Sequence, residues 1–165
     1  MRTERPAGQR RTLQGFTLLE VLVVIAIIGI LAGALVALSA RNYRKSQLRD
    51  GAVQLMTDLN RARSLAQRSS FDSTVQIMGQ LGAPSSTYTT LWGGGATPVT
   101  RSLPTSVQVA PLSSAASART LTYSAPYAET DSIGTLWEVS SSGSSDRLYL
   151  KAVGVTGKVI LSASN

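Results

Sequence analysis

The sequence predicts an α+β protein: a long N-terminal helix, its first half apolar and its second half amphipathic, packed on a small antiparallel β-sheet or sandwich head. Three observations predict it. Residues 16–38 form a run of 23 residues whose only charge is Glu20. Between Leu48 and Ala66, small and apolar residues recur at steps of 4, 3, 4, 3 and 4. From residue 71 onward, short segments mostly alternate apolar with polar and are separated by Gly, Pro and Ser clusters.

Composition narrows what such a chain can do. Its 165 residues suit about one domain, and 43% apolar with 15% charged residues is neither a disordered nor an all-membrane composition. His and Cys are absent, which removes imidazole bases, His or thiolate metal sites, thiol nucleophiles and disulfides. Cohesion must come from core packing. The formal charge of +7 is concentrated at the start, because residues 1–15 hold four Arg against one Glu, or +3, leaving +4 for the rest. That mild excess is a weak signal for a nucleic-acid partner.

The first element is a membrane-helix candidate. At ~1.5 Å per residue, the 16–38 run reaches roughly 35 Å, enough for a hydrocarbon core about 30 Å thick. A secretory leader has about 7–15 apolar residues and then a small-residue cleavage site; here the run is longer and continues as helix. The preceding arginines place the N-terminus in the cytoplasm by the positive-inside rule, with Arg41, Arg44, Lys45 and Arg49 beyond the run reducing the asymmetry. Glu20 is the costly residue, since a carboxylate within the apolar zone costs about 2.5–3.5 kcal/mol on insertion scales. Either it snorkels to the nearby headgroup boundary or it has a cationic partner. The leader arginines qualify, and so does a new α-amino group if the chain is cut just before the helix.

Beyond the run the pattern becomes periodic. Leu48, Ala52, Leu55, Leu59, Ala62 and Ala66 form one helical stripe, with Arg49, Asp50, Asp58, Arg61 and Arg68 off it. The stripe should lean on a soluble domain. Ser69, Ser70 and Asp72 supply the stop, so one helix is expected over 16–68, about 80 Å at ~1.5 Å per residue. Arg61 and Arg68 are expected on a solvated face.

The remainder reads as β. Candidate strands are 74–78, 87–92, 106–110, 119–123, 135–139, 147–153 and 158–162. Turn clusters at 82–86, 93–95 and 140–145 separate them. Short strands in such number suggest an antiparallel sheet or sandwich. Trp92 and Trp137 fall in these strands and are expected in the core. No internal repeat is present, and the serine runs read as loops.

Catalysis is not expected. Without His, a serine nucleophile needs a lysine base, and the lysines after the helix, Lys151 and Lys158, lie inside strands with no glycine-elbow serine nearby. The glycines at 93–95 lack the Walker lysine and following helix of a phosphate loop. Glu129, Asp131 and Asp146 match no calcium-loop spacing. Neither a metal nor another cofactor is expected.

One stretch is specific enough to carry a resemblance. Gly15-Phe16-Thr17-Leu18-Leu19-Glu20, after a short basic leader and before an unbroken apolar helix, resembles the class III signal of type IV pilins and type II secretion pseudopilins. The segment from Leu59 to Ile77, with Leu59, Ala62, Arg63, Ala66 and Val75 in register, is similar to the GspH/FimT branch of pseudopilins and minor pilins. The resemblance implies a leader over 1–15, a transmembrane helix over 16–38, its amphipathic continuation over 39–68 and a β-rich head over 69–165, with two small sheets against the helix. It implies cleavage between Gly15 and Phe16 by a prepilin peptidase on the cytoplasmic side and N-methylation of Phe16. It also implies a role for Glu20, with Phe16, in filament assembly, where the carboxylate neutralises the terminal amine of a neighbouring subunit. Many pilins of this group carry a helix-bending proline 21 residues beyond the first mature residue; here that position is Ala37, so a straighter, continuous helix is expected.

The function this implies is that of a minor pilin or pseudopilin, a structural or priming subunit of a type IV pilus or a type II secretion pseudopilus. Its implied partners are the prepilin peptidase, other pilin or pseudopilin subunits and an inner-membrane assembly platform. Its implied place is the inner membrane, crossed once, with the head outside the cytoplasm until assembly. The alternative is a DNA-binding minor pilin for natural transformation, with Lys158, Arg101, Arg119 and Lys151 as candidate contacts. FimT-type DNA capture is associated with a C-terminal GRVR segment; this chain ends GKVILSASN, with Lys158 and Ile160 at the two arginine positions. Phosphate neutralisation dominates DNA affinity, so that tail favours the structural reading.

Overall fold

The computed structural model describes residues 16–94, 96–130 and 134–164. The leader, including Gly15, lies outside the described residues, as does Asp131. One helix, α1, occupies Leu18–Arg68, and eight strands follow: β1 (Ser73–Ile77), β2 (Thr87–Trp92), β3 (Val99–Ser102), β4 (Val107–Pro111), β5 (Thr120–Tyr123), β6 (Gly134–Ser141), β7 (Arg147–Val153) and β8 (Lys158–Ser162). A short 3₁₀ turn at Ala116–Arg119 leads into β5. By contact density the chain divides after Ser39 into an N-terminal unit and a larger unit.

In the larger unit, two four-stranded antiparallel sheets form, in the orders β3-β2-β1-β5 and β4-β6-β7-β8. The expected helix stripe holds residue for residue: Leu48, Ala52, Leu55, Leu59, Ala62 and Ala66 are all buried. They share one core with Val75, Ile77, Tyr88, Leu121 and Tyr123 of the first sheet, and with Val107, Val109, Trp137, Val139, Leu150 and Val159 of the second. The period-2 burial of β1, β2, β4 and β5 follows from their alternation, because successive side chains point to opposite faces. Small residues set the helix close to the sheets. A Cβ on Gly51 would come within 2.8 Å of Val107 Cγ1, which accounts for a glycine where alanine is better by about 1 kcal/mol in a free helix.

The helix stops where the serines predict. Ser69 N–H and Ser69 Oγ both donate to Leu65 O, at 2.8 and 2.7 Å, satisfying one of the last-turn carbonyls that a helix end leaves open. At the other end the helix begins at Leu18, two residues later than the apolar run suggests. It continues without interruption through Ala37.

Two sequence expectations are corrected. Strand β3 is not among the seven expected strands, because its residues are exposed or half-buried and carry no apolar period: it is an edge strand, held by pairing with β2. Trp137 is in the core, 1% exposed, with its indole N–H donated to Ala118 O at 2.8 Å, but Trp92 at the end of β2 is only half-buried. Arg61 is exposed, as expected, and its guanidinium also lies 5.6 Å from the Trp92 ring centre, close enough for a cation–π contact.

One of the ties between the two sheets is a crowded point. Ser85 N donates to Val109 O at 3.0 Å and Val109 N to Ser85 O at 2.8 Å, joining the β1–β2 connection to β4. Gly79 lies under this bridge, where a Cβ would come within 2.2 Å of Val109 O. The clash would be with backbone, which has no rotamer to turn away. Gly79→Ala is therefore expected to destabilise the protein by about 1–3 kcal/mol or more, as overpacking does. A shift of the urea midpoint of the full chain in detergent checks this, and an unchanged midpoint would mean the two sheets separate freely there.

Candidate functional site

The helix start is built by its own side chains. Thr17 sits just before Leu18 and caps the helix: its Oγ1 accepts from Glu20 N at 3.2 Å, and its carbonyl accepts from Glu20 N at 3.1 Å and Val21 N at 3.3 Å. Threonine followed three residues later by glutamate is the capping-box spacing. Glu20 lies in the first turn, where the positive end of the helix dipole favours a carboxylate. Sequence reasoning treats Glu20 as a charge in need of a cation and misses Thr17, although T-x-x-E is the legible signal. The cap thus fixes the backbone of the first turn that carries Glu20.

The described residues around that first turn are exposed and mostly apolar. Phe16 is 82% exposed, and every residue from 16 to 36 is exposed. The helix is long and apolar enough to cross a membrane, with none of its most apolar window buried within the chain. A Cβ added to Gly29 or Gly33 would meet, beyond its chain neighbours and the helix's own nearby backbone, no described atom within 4 Å. Contiguous exposed apolar area of this extent marks a surface for lipid or protein.

The four candidate DNA contacts are not gathered into one patch. Lys151 on β7 and Lys158 on β8 alternate with buried Leu150, Ala152 and Val159, so both point from the outer face of the second sheet. The register pairs Lys151 with Ile160 and Val153 with Lys158, which makes the two lysines diagonal neighbours. Arg101 and Arg119 belong to the other sheet, at its opposite edges: Arg101 on β3, and Arg119 at the end of the turn entering β5. Arg147, on the same strand as Lys151, is paired with Glu138.

Arg101 has a structural partner. It stands 3.4 Å from Asp58 Oδ2, their side chains 36% and 7% exposed. Tyr88 donates its hydroxyl to the same Asp58 oxygen at 2.6 Å, and Gln54 Nε2 donates to both Tyr88 Oη and Ser102 O at 3.0 Å. Asp58, off the apolar stripe in sequence, is therefore buried because a tyrosine and an arginine from the sheet meet it. Burial, then the hydrogen bond to Asp58, pushes the Tyr88 hydroxyl well above the ordinary tyrosine range, so it stays a donor. Burial likewise pushes Tyr123 up to about 12, against the pull of Arg63, and its hydroxyl donates to Gly157 O at 2.8 Å. No short-range sequence signal joins residues 54, 58, 88 and 101. Of the segment that carries the branch resemblance, Leu59, Ala62, Ala66 and Val75 are core residues, and Arg63 is half-buried beside Tyr123.

Residues 10–36 match the family model described as the prokaryotic N-terminal methylation motif. Among solved structures, the chain is similar to the crystal structure of the type IV minor pilin FimU of Pseudomonas aeruginosa, at 18% identity and a TM-score of 0.48, covering 69% of this chain and 91% of that one. No curated protein matches the chain.

The cap makes a local prediction. Thr17→Ala should speed amide hydrogen exchange at Glu20, whose N–H loses its side-chain acceptor, while Thr17→Ser should preserve protection. Loss of such a cap costs typically about 1 kcal/mol of local helix stability. Equal exchange in all three proteins would show that the threonine does not act as a cap.

Proposed function

We propose that this chain is a minor pilin or pseudopilin, a structural or priming subunit that is held in the membrane by residues 16–38 and enters a type IV pilus or a type II secretion pseudopilus. The methylation-motif match over residues 10–36, with a long helix packed on two antiparallel sheets, supports a type IV pilin-like protein. The exposed apolar helix fits a membrane-anchored one. The observation that carries the subunit role is the helix start, where Glu20, in a first turn capped by Thr17, lies in a mostly apolar stretch exposed from residue 16 to residue 36. Lipid covers such a surface before assembly, and neighbouring helices cover it afterwards.

In this reading residues 1–15 are a leader that keeps the N-terminus in the cytoplasm, and a prepilin peptidase cuts between Gly15 and Phe16. Phe16 is then N-methylated. Glu20 pairs with the terminal amine of a neighbouring subunit, and that pairing sets the axial register, because an unpaired charge in apolar surroundings is destabilising. The head lies outside the cytoplasm and presents its surface to other subunits and the assembly platform. It is a structural part and not a catalyst.

The DNA-capture alternative has less to stand on. Arg101 is held by Asp58, and Lys158 lies on β8, an edge strand of its sheet, where lysine commonly blocks edge-to-edge pairing. A single diagonal lysine pair offers few phosphate contacts.

Processing and assembly separate cleanly in two experiments. Intact-mass analysis of the membrane fraction should find a chain beginning at N-methylated Phe16, and a bulky residue at Gly15 should block the cut; a retained residue 1 would overturn the reading. Glu20→Ala should be cut and inserted normally, since removing a charge eases insertion, yet fail to enter filaments. Normal incorporation would leave Glu20 a snorkelling surface group.

DNA binding is tested by its salt dependence. Affinity should lie in the non-specific range of roughly 10⁻⁴–10⁻⁶ M at physiological salt, and Lys158→Ala should change it little. Submicromolar, salt-sensitive binding that collapses in Lys158→Ala would make DNA capture the function instead.

A further inference from the structure

Where the chain crosses from the second sheet to the first, a cleft forms that the subunit role does not use. One wall is the tip of the β1–β2 hairpin, pinned by reciprocal hydrogen bonds between Gln80 and Ala83, N to O at 2.8 and 3.0 Å, around Gly82 at φ +78°. The other wall is the connection from Pro111 to Arg119. The space between them is about 190 Å³, below the roughly 300–1,000 Å³ of sites for drug-sized ligands. It suits one small ring.

The lining is of three chemical kinds. Arg119 is half-buried, and among the described residues its guanidinium has neither an ion pair nor a hydrogen bond. Gln80, Ser113 and Ser114 add an amide and two hydroxyls, and Leu81 and Pro111 add apolar surface. Five guanidinium donors in a planar fork match a carboxylate in two parallel hydrogen bonds. A single cation balances a singly charged carboxylate better than a phosphate of nearly two charges. The amide and hydroxyls match the hydroxyls of a polyol, and the apolar wall matches the C–H face of its ring.

We propose that this cleft binds a small sugar acid, a carboxylated polyol of uronic acid type, with Arg119 anchoring its carboxylate and Gln80 and Ser114 reading its hydroxyls. The site goes beyond the subunit role and does not depend on it. Arg119, a candidate phosphate contact in the sequence, is here the anchor for one small anion and not part of a nucleic-acid surface.

The protein carries its own reporter. Trp137 Nε1 donates to Ala118 O, the residue before Arg119, and with two tryptophans in the chain the indole region of a ¹⁵N correlation spectrum separates Trp137 from Trp92. The full chain in detergent micelles is titrated with glucuronate, acetate, phosphate and neutral glucose at constant ionic strength. Glucuronate should move the Trp137 indole signal saturably and leave Trp92 in place. Acetate, phosphate and glucose should each bind at least several-fold more weakly. Arg119→Gln should weaken glucuronate at least tenfold with an otherwise unchanged spectrum, and Ser114→Ala should weaken it less. If Arg119→Gln does not fold, the glucuronate–glucose contrast in the unaltered protein decides the same point. The proposal is overturned by an absent or unsaturable shift, by equal movement of both indoles, by glucose or phosphate binding as tightly as glucuronate, or by an unchanged affinity in Arg119→Gln.

Discussion

Burial of one helical stripe on two sheets is the constraint on which the larger unit depends. Leu48, Ala52, Leu55, Leu59, Ala62 and Ala66 lie at the centre of a core to which both sheets contribute. With no disulfide available, removal of apolar surface from water is the main force joining the parts. The choice of side chains follows from that. Alanines and Gly51 let the helix axis approach the sheets, and the leucines between them fill the space to either side. Gly79 performs the same service between backbones, where the two sheets meet at Ser85 and Val109.

A polar network is set into this contact. Asp58 brings a carboxylate into the helix–sheet junction, which is tolerable only because Tyr88 and Arg101 meet it from the sheet. The network fixes the edge of the first sheet to the helix, since Gln54 also reaches Ser102 O on β3. It has a functional corollary: an arginine that balances a buried aspartate is a poor phosphate contact, so counting cations in the sequence overstates the positive surface of the head.

The N-terminal unit obeys the opposite rule. Its residues 16–36 are exposed and, Thr17 and Glu20 apart, apolar or glycine, so the stability of this stretch in place belongs to its surroundings, lipid or neighbouring helices. The proposed subunit role rests on that contrast within one helix, where the stripe from Leu48 to Ala66 is buried and residues 16–36 are exposed. In the first turn Thr17 accepts from the Glu20 N–H and so fixes the helix start that carries the carboxylate, on which any intermolecular pairing would have to register.

By itself the sequence determined the helix, its apolar and amphipathic halves, the identity of every stripe residue and most of the strands, because periodicities of 3.6 and 2 are local properties that burial on one face imposes directly. β2, β7 and β8 fall at the expected residues, while β1, β4, β5 and β6 end within two residues of expectation. The capping pair Thr17 and Glu20 was equally legible from its spacing. Only the tertiary structure decided the rest. β3 has no apolar period, since an edge strand is held by its neighbour's backbone hydrogen bonds. Trp92 is only partly buried, packed against the core with Arg61 over its ring, and Asp58 entered the core, because the partner in each case is 30 residues or more away in the chain. The scattering of Lys151, Lys158, Arg101 and Arg119 over two sheets, and the gathering of Arg119 with Gln80 and Ser114, follow from strand order, which no local pattern encodes.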